Sequence, residues 1–114
     1  MPIEEDLFDK MRIELRRGSV VLAVLGALRE ERYGYTLRTS LEEAGLPIDE
    51  GALYPLLRRL ETQGLLTSEW REEAKRNKRF YRLSPDGLEI LARLLGEWNA
   101  ISESIVRLNE GDKK

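Results

Sequence analysis

A mainly α-helical chain with one two-stranded β-ribbon is predicted by three observations. Apolar residues recur at three- and four-residue spacing along most of the chain. That period gives way to alternation only around LLTSEW (65–70) and RFYRLS (79–84). Glycine, proline and serine stand where helices would start and stop. The implied order is helix, helix, helix, helix, β-hairpin, long helix. Three helices followed by a two-stranded ribbon make a winged helix-turn-helix. The fold class is therefore mainly α with a two-stranded β-wing, flanked by an N-terminal helix and a long C-terminal dimerisation helix.

Residues 4–17, EEDLFDKMRIELRR, place Leu7, Phe8, Met11 and Leu15 on one helical stripe. Gly18 suits the left-handed residue that ends a helix, and Ser19 suits the cap of the next. VVLAVLGAL (20–28) then has almost no polar face, which marks a buried helix and the centre of the core. In RYGYTLRTSLEEAGL (32–46), Leu37 and Leu41 are one turn apart with Ala44 behind them; Gly45 stops that helix and Pro47 prevents its resumption. Asp49 caps a helix running to Gly64, whose apolar face is Leu53, Leu56, Leu57 and Leu60.

Beyond Gly64 the hairpin begins, with REEAKRNK (71–78) as its charged tip and Asn77 as the expected turn residue. Ser84-Pro85-Asp86-Gly87 opens the last helix: serine caps, and proline sits where its missing N–H is not needed. That helix is expected to reach about Asn109. Leu91, Leu94, Trp98, Ile101, Ile105 and Leu108 are spaced 3, 4, 3, 4, 3, the a/d seam of paired helices. No later element is predicted to cover this seam, so a partner helix is expected on it. The closing EGDKK is expected to fray. One domain over 1–114 follows, with the N-terminal helix at 4–17, the winged helix-turn-helix at 18–84 and the dimerisation helix at 85–110.

The composition narrows the function. The chain is 41% apolar and 35% charged, with no cysteine and no histidine. The commonest metal ligand and general base are thus absent, and so is any disulfide or thiolate site. The acidic pairs Glu42–Glu43 and Glu72–Glu73 read as exposed positions, so no catalytic residue, metal or cofactor is expected. No apolar run approaches the roughly 20 residues of a membrane span. The acidic MPIEEDLFDK lacks the layout of a signal peptide, which points to the cytoplasm. The net charge is −2 and the pI about 5.4. Yet residues 71–82 hold six basic side chains against two acidic ones, a local surplus of four positive charges. On a wing such a cluster, Lys75, Arg76, Lys78 and Arg79, would meet DNA phosphates; elsewhere it would be a solvated loop.

The stretch DEGALYPLL (49–57) spoils the front of its own helix with Gly51 and Pro55. Proline at 55 forfeits one backbone hydrogen bond and crowds the carbonyl of residue 51. Glycine at 51 has no β-carbon and yields easily. The two are mutually tolerant. Gly51 and Ala52 also leave a bare helix start that can approach a phosphate. Tyr54 and Arg58 then stand where a recognition helix contacts phosphates or base edges. Arg59 points away. Tyr33 and Tyr35 flank Gly34, one suited to packing and Tyr35 to a phosphate. Trp70 is expected to be structural.

RYGYTLRTSL, GALYPLLRRLETQGLLTSEW and KRFYRLSPDGLEIL, in this order and spacing, resemble the PadR family of bacterial transcriptional regulators. The resemblance runs from residue 18 to about 95. Its most specific parts are the Gly-x-Leu-Tyr-Pro-x-Leu-x-x-Leu-Glu-x-x-Gly-Leu run and the wing ending in Tyr-Arg-Leu. The single helix after the wing is similar to the short C-terminal-helix branch. The tip AKRNK departs from the pattern in lacking a glycine. The resemblance implies a homodimeric repressor of double-stranded DNA, with the dimer formed by Leu7, Phe8 and Met11 together with the seam from Leu91 to Leu108. Some members bind flat aromatic compounds between paired tryptophans at the dimer centre, which would make Trp98 an effector contact; a large aromatic filling the seam is the simpler account, since it needs no ligand. The alternative for the whole chain is a winged-helix module that binds protein and no DNA, which the acidic total charge favours.

Overall fold

The apolar stripe of Leu7, Phe8, Met11 and Leu15 does not stop at Gly18. In a computed structural model, which describes residues 4–111, one helix α1 runs without interruption over Glu5–Ala27. The expected break is corrected: Gly18 is not left-handed, and the Ser19 hydroxyl donates to the Arg16 carbonyl (2.8 Å) instead of capping a new helix. The reason is periodicity. Leu15, Gly18, Leu22 and Leu25 continue the 3, 4, 3 spacing, so the helical pattern carries straight through Gly18. An internal glycine costs only about 1 kcal/mol against alanine. Residues 1–3 of the predicted domain and 112–114 of the tail expected to fray lie outside the described residues.

After α1 come β1 (Arg32–Tyr33), α2 (Gly34–Glu43), α3 (Glu50–Thr62), β2 (Leu66–Glu73), β3 (Arg76–Leu83) and α4 (Pro85–Asn109). Helices α2 and α3 end alike. Gly45 and Gly64 take positive φ (86° and 83°), while the next amides, Leu46 and Leu65, reach back to the carbonyls of Leu41 and Leu60. Asp49 caps α3 by accepting from the Ala52 amide at 2.9 Å. Ser84 caps α4 by accepting from the Gly87 amide, and its own hydroxyl donates to the Gly64 carbonyl at 2.6 Å.

The sheet has three strands, ordered β1-β3-β2, all antiparallel. The ribbon is thus joined at its root by a strand of two residues, too short to show alternation in a sequence. The turn also differs from expectation. β2 and β3 pair in full register from Leu66↔Leu83 to Glu73↔Arg76, so the loop is Ala74–Lys75, both with positive φ (52° and 65°). This is the two-residue turn whose twist matches the strands. Asn77 lies inside β3 opposite Glu72.

Val24, Leu25 and Leu28 at the end of α1 occupy the core with Leu37, Leu41, Leu53, Leu57, Leu60, Leu66, Tyr81, Leu83 and Leu91. Leu91 is 1% exposed, so its expected place in a dimer seam is corrected: the protomer's own core takes it. Leu94 is half-buried on that core. From Trp98 onward the seam is bare: Trp98, Ile101, Ile105 and Leu108 are all exposed, as are Leu7, Phe8, Met11 and Leu15 on α1. The molecule is correspondingly long, 61 × 33 × 22 Å. Its radius of gyration is 17.3 Å, against about 13 Å for a compact domain of this length.

Candidate nucleic-acid interface

The first turn of α2, the outer face of α3 and the inner face of the wing enclose an open cleft of about 520 Å³. The register explains its walls. Leu66, Ser68 and Trp70 on β2, with Leu83, Tyr81 and Arg79 opposite them, share one face of the ribbon. Leu66 and Leu83 enter the core, Tyr81 packs in the core and borders the cleft, and Trp70 and Arg79 line the cleft. Of the residues that the sequence nominates for DNA, Tyr35, Tyr54, Arg58, Arg76, Lys78 and Arg79 meet here. Gly51, Ala52 and Pro55 do not line it; they lie exposed on the first turns of α3, and Lys75 lies exposed in the wing turn.

Five cations line the cleft against one carboxylate, Glu50, but they are not equally available. Arg38 pairs with Glu50 across the α2–α3 junction. Arg79 donates to Ser68 Oγ (3.0 Å) and to Glu61 Oε1 on α3 (3.1 Å), tying the wing to that helix. Lys78 pairs with Glu73 (3.3 Å) and lies 4.4 Å from the centre of the Tyr33 ring. Partial burial works to lower the Lys78 pKa, but the contacts with Glu73 and Tyr33 prevail, so it stands above the ordinary lysine value and stays charged. Arg58 and Arg76 have no carboxylate partner among the described residues.

The aromatic residues divide similarly. Tyr33 packs edge-on against Phe80, ring centres 5.3 Å apart. Tyr35 is 64% exposed and leans over Tyr33 at 6.5 Å. Tyr54 does not project freely. Its hydroxyl occupies the place that a β-carbon on residue 34 would take, so any other residue there would have to displace the Tyr54 ring. Burial raises the Tyr81 pKa above the ordinary tyrosine value, with the Arg79 guanidinium in partial opposition.

The helix start is less bare than its glycine and alanine suggest, because the Asp49 carboxylate already occupies the Ala52 amide. Arg38 and Trp70 are among the lining residues not nominated for DNA. Arg38 belongs to a helix whose sequence pattern reveals only its buried side, whereas Trp70 was legible as a cleft residue had the β2 alternation been followed outward from Leu66. The described residues contain no group of acidic side chains arranged to hold a metal ion and no helix long and apolar enough to cross a membrane.

Comparison with known proteins supplies the remaining observation. Residues 21–93 match the transcriptional regulator PadR-like family. The transcriptional regulator Rv3488 of Mycobacterium tuberculosis is 41% identical over 75 residues, covering 65% of this chain and 70% of that protein. A PadR family transcriptional regulator from Eggerthella lenta has a crystal structure that superposes with a TM-score of 0.89 at 42% identity, covering 93% of this chain and 95% of the other. A PadR-like transcription factor from Bacteroides fragilis superposes at 0.73 with 30% identity, covering 87% and 98%.

Proposed function

The chain belongs to the PadR-like family of transcriptional regulators, and from that premise we propose that it is a homodimeric repressor that binds operator DNA in a sequence-specific way in the cytoplasm. The observation that carries this reading is the cleft, where α3 and a basic wing stand side by side and Arg58 and Arg76 have no carboxylate partner among the described residues. Helix α3 enters the major groove, and residues 51–59 supply sequence choice, with Arg58 the side chain placed to reach a base edge. The low profile of Gly51, Ala52 and Pro55 lets the helix approach closely. Lys75 and Arg76 at the tip contact phosphates and make the affinity salt-dependent.

The exposed stripes of α1 and α4 support dimerisation through Leu7, Phe8, Met11, Trp98, Ile101, Ile105 and Leu108, with the half-buried Leu94 at their inner edge. Two recognition helices then face half-sites about one helical turn apart. A small apolar or aromatic effector held at Trp98 relieves repression by binding one arrangement of the helices better than the other.

Fluorescence anisotropy with the DNA upstream of the protein's own gene, against a scrambled duplex at two salt concentrations, tests this reading. Preferential binding that falls steeply with salt is expected. A folded dimer that binds neither duplex would overturn it in favour of a protein-binding module, to which the pI of about 5.4 belongs more naturally.

A further inference from the structure

Trp70 has no part in the core. It stands midway along β2, on the face where Leu66 enters the core and Ser68 meets α3, yet it is 63% exposed. Its partner across the ribbon is Arg79, whose guanidinium lies 5.5 Å from the indole ring. That guanidinium is held by Glu61 and Ser68. An anchored cation thus backs the indole, which lines the same cleft as Tyr35, Arg58 and Arg76. A lone exposed aromatic on a surface needs no explanation. One propped by a pinned arginine, in a cleft it shares with two cations that have no carboxylate partner among the described residues, does.

We propose that Trp70 is a sequence-independent DNA contact whose ring packs against a deoxyribose of the strand passing between α3 and the wing. This rests on the DNA-binding reading above. A duplex engaged by α3 in its major groove and by the wing on the adjoining backbone must pass one strand between them. Its phosphates meet Arg58 and Arg76. Between phosphates the strand presents sugar carbons, an apolar surface that a flat indole covers more completely than the narrow stem of a lysine or arginine. The contact neutralises no phosphate and touches no base, which separates it from every other contact assigned to the cleft.

Two measurements decide it. The first is acrylamide quenching of the chain's two tryptophans, with and without saturating duplex, in the wild type and in Trp70→Phe. Duplex is expected to shield part of the wild-type fluorescence, and that shielding is expected to vanish in Trp70→Phe. The second is anisotropy with Trp70→Ala and Trp70→Phe. Trp70→Ala is expected to weaken operator and scrambled duplex alike, by roughly tenfold, the order expected for losing an aromatic ring's apolar burial. The salt dependence should keep its slope, and Trp70→Phe should retain most of the affinity.

Wild-type protein that binds DNA while Trp70 remains equally quenchable overturns this proposal and leaves the DNA reading standing. So does a Trp70 variant that alters the salt slope or the preference for operator. Failure of the wild type to bind any duplex removes both together. Should Trp70→Ala not fold, the quenching data and Trp70→Phe still decide.

Discussion

At Gly87 one hydrogen atom sets how α4 leaves the wing. A β-carbon there would stand 2.1 Å from the Leu65 carbonyl oxygen and 3.0 Å from Leu83 Cδ2. The first obstacle is backbone, which cannot swing aside as a side chain does. That same carbonyl accepts from the Ser84 amide at 3.0 Å, so making room strains the cap of α4 as well. Gly87→Ala is expected to destabilise the fold by about 1–3 kcal/mol, as overpacking of a well-packed site does. Gly18 is the control: a β-carbon there meets nothing within 4 Å, in the middle of a continuous helix. Gly18→Ala is expected to stabilise by up to about 1 kcal/mol. Thermal unfolding followed by circular dichroism checks both, and equal midpoints for the two variants would contradict the packing described at α4. At this scale Asp49 and Ser84 cap as their positions promise, whereas Ser19 lies inside α1 and caps nothing. The sequence was a poor guide to glycine, because the same residue serves a turn at Gly45, a close approach at Gly87 and nothing local at Gly18.

The wing and α3 act as one unit because Arg79 is spent on holding them together. Its guanidinium bridges Glu61 and Ser68, whereas Arg76, three residues nearer the tip, has no acidic partner among the described residues. Only an unpaired cation releases counterions when DNA binds. Arg76→Ala is therefore expected to reduce the slope of log affinity against log salt by about one, and Arg79→Ala to leave it nearly unchanged. Glu61→Gln, which frees Arg79 while keeping the side-chain shape, should steepen the slope. Anisotropy titrations over a salt series check all three, and an Arg79→Ala slope as flat as that of Arg76→Ala would show that the bridge opens on DNA. A sequence cannot rank these two arginines, since both sit in one basic run and the carboxylate that separates them lies 18 residues away. The hairpin tip was hidden for a related reason. Asn77 has the local chemistry for a turn, but the core-facing pairs Leu66↔Leu83 and Ser68↔Tyr81 set the register at the root. Counting outward from them leaves Ala74 and Lys75 as the loop, whatever their own preferences.

The whole molecule is extended because two helices run past the core that holds their inner ends. α4 is anchored by Leu91 and steadied by Leu94, after which Trp98, Ile101, Ile105 and Leu108 carry the same spacing into solvent. The outer half of α1 does the same with Leu7, Phe8 and Met11. The 3–4 repeat made this surface legible in the sequence, but not where core ends and surface begins, because a buried and a bare seam have the same period. If a second copy covers it, the double substitution Ile101→Asp with Ile105→Asp places two carboxylates in the joint without touching the core residues of either protomer. The expected product sediments as a monomer and keeps the circular dichroism and the melting of the winged-helix part, with some loss of helix from the unsupported end of α4. Its affinity for a two-fold operator should fall to that of a single half-site, because the two recognition helices are no longer tethered and each binds alone. Sedimentation velocity paired with anisotropy on whole and half operators separates the possible outcomes. A variant that stays dimeric would move the interface to α1. One that becomes monomeric yet binds the whole operator undiminished would mean that each winged helix carries the full affinity alone and that the exposed seam serves something other than DNA.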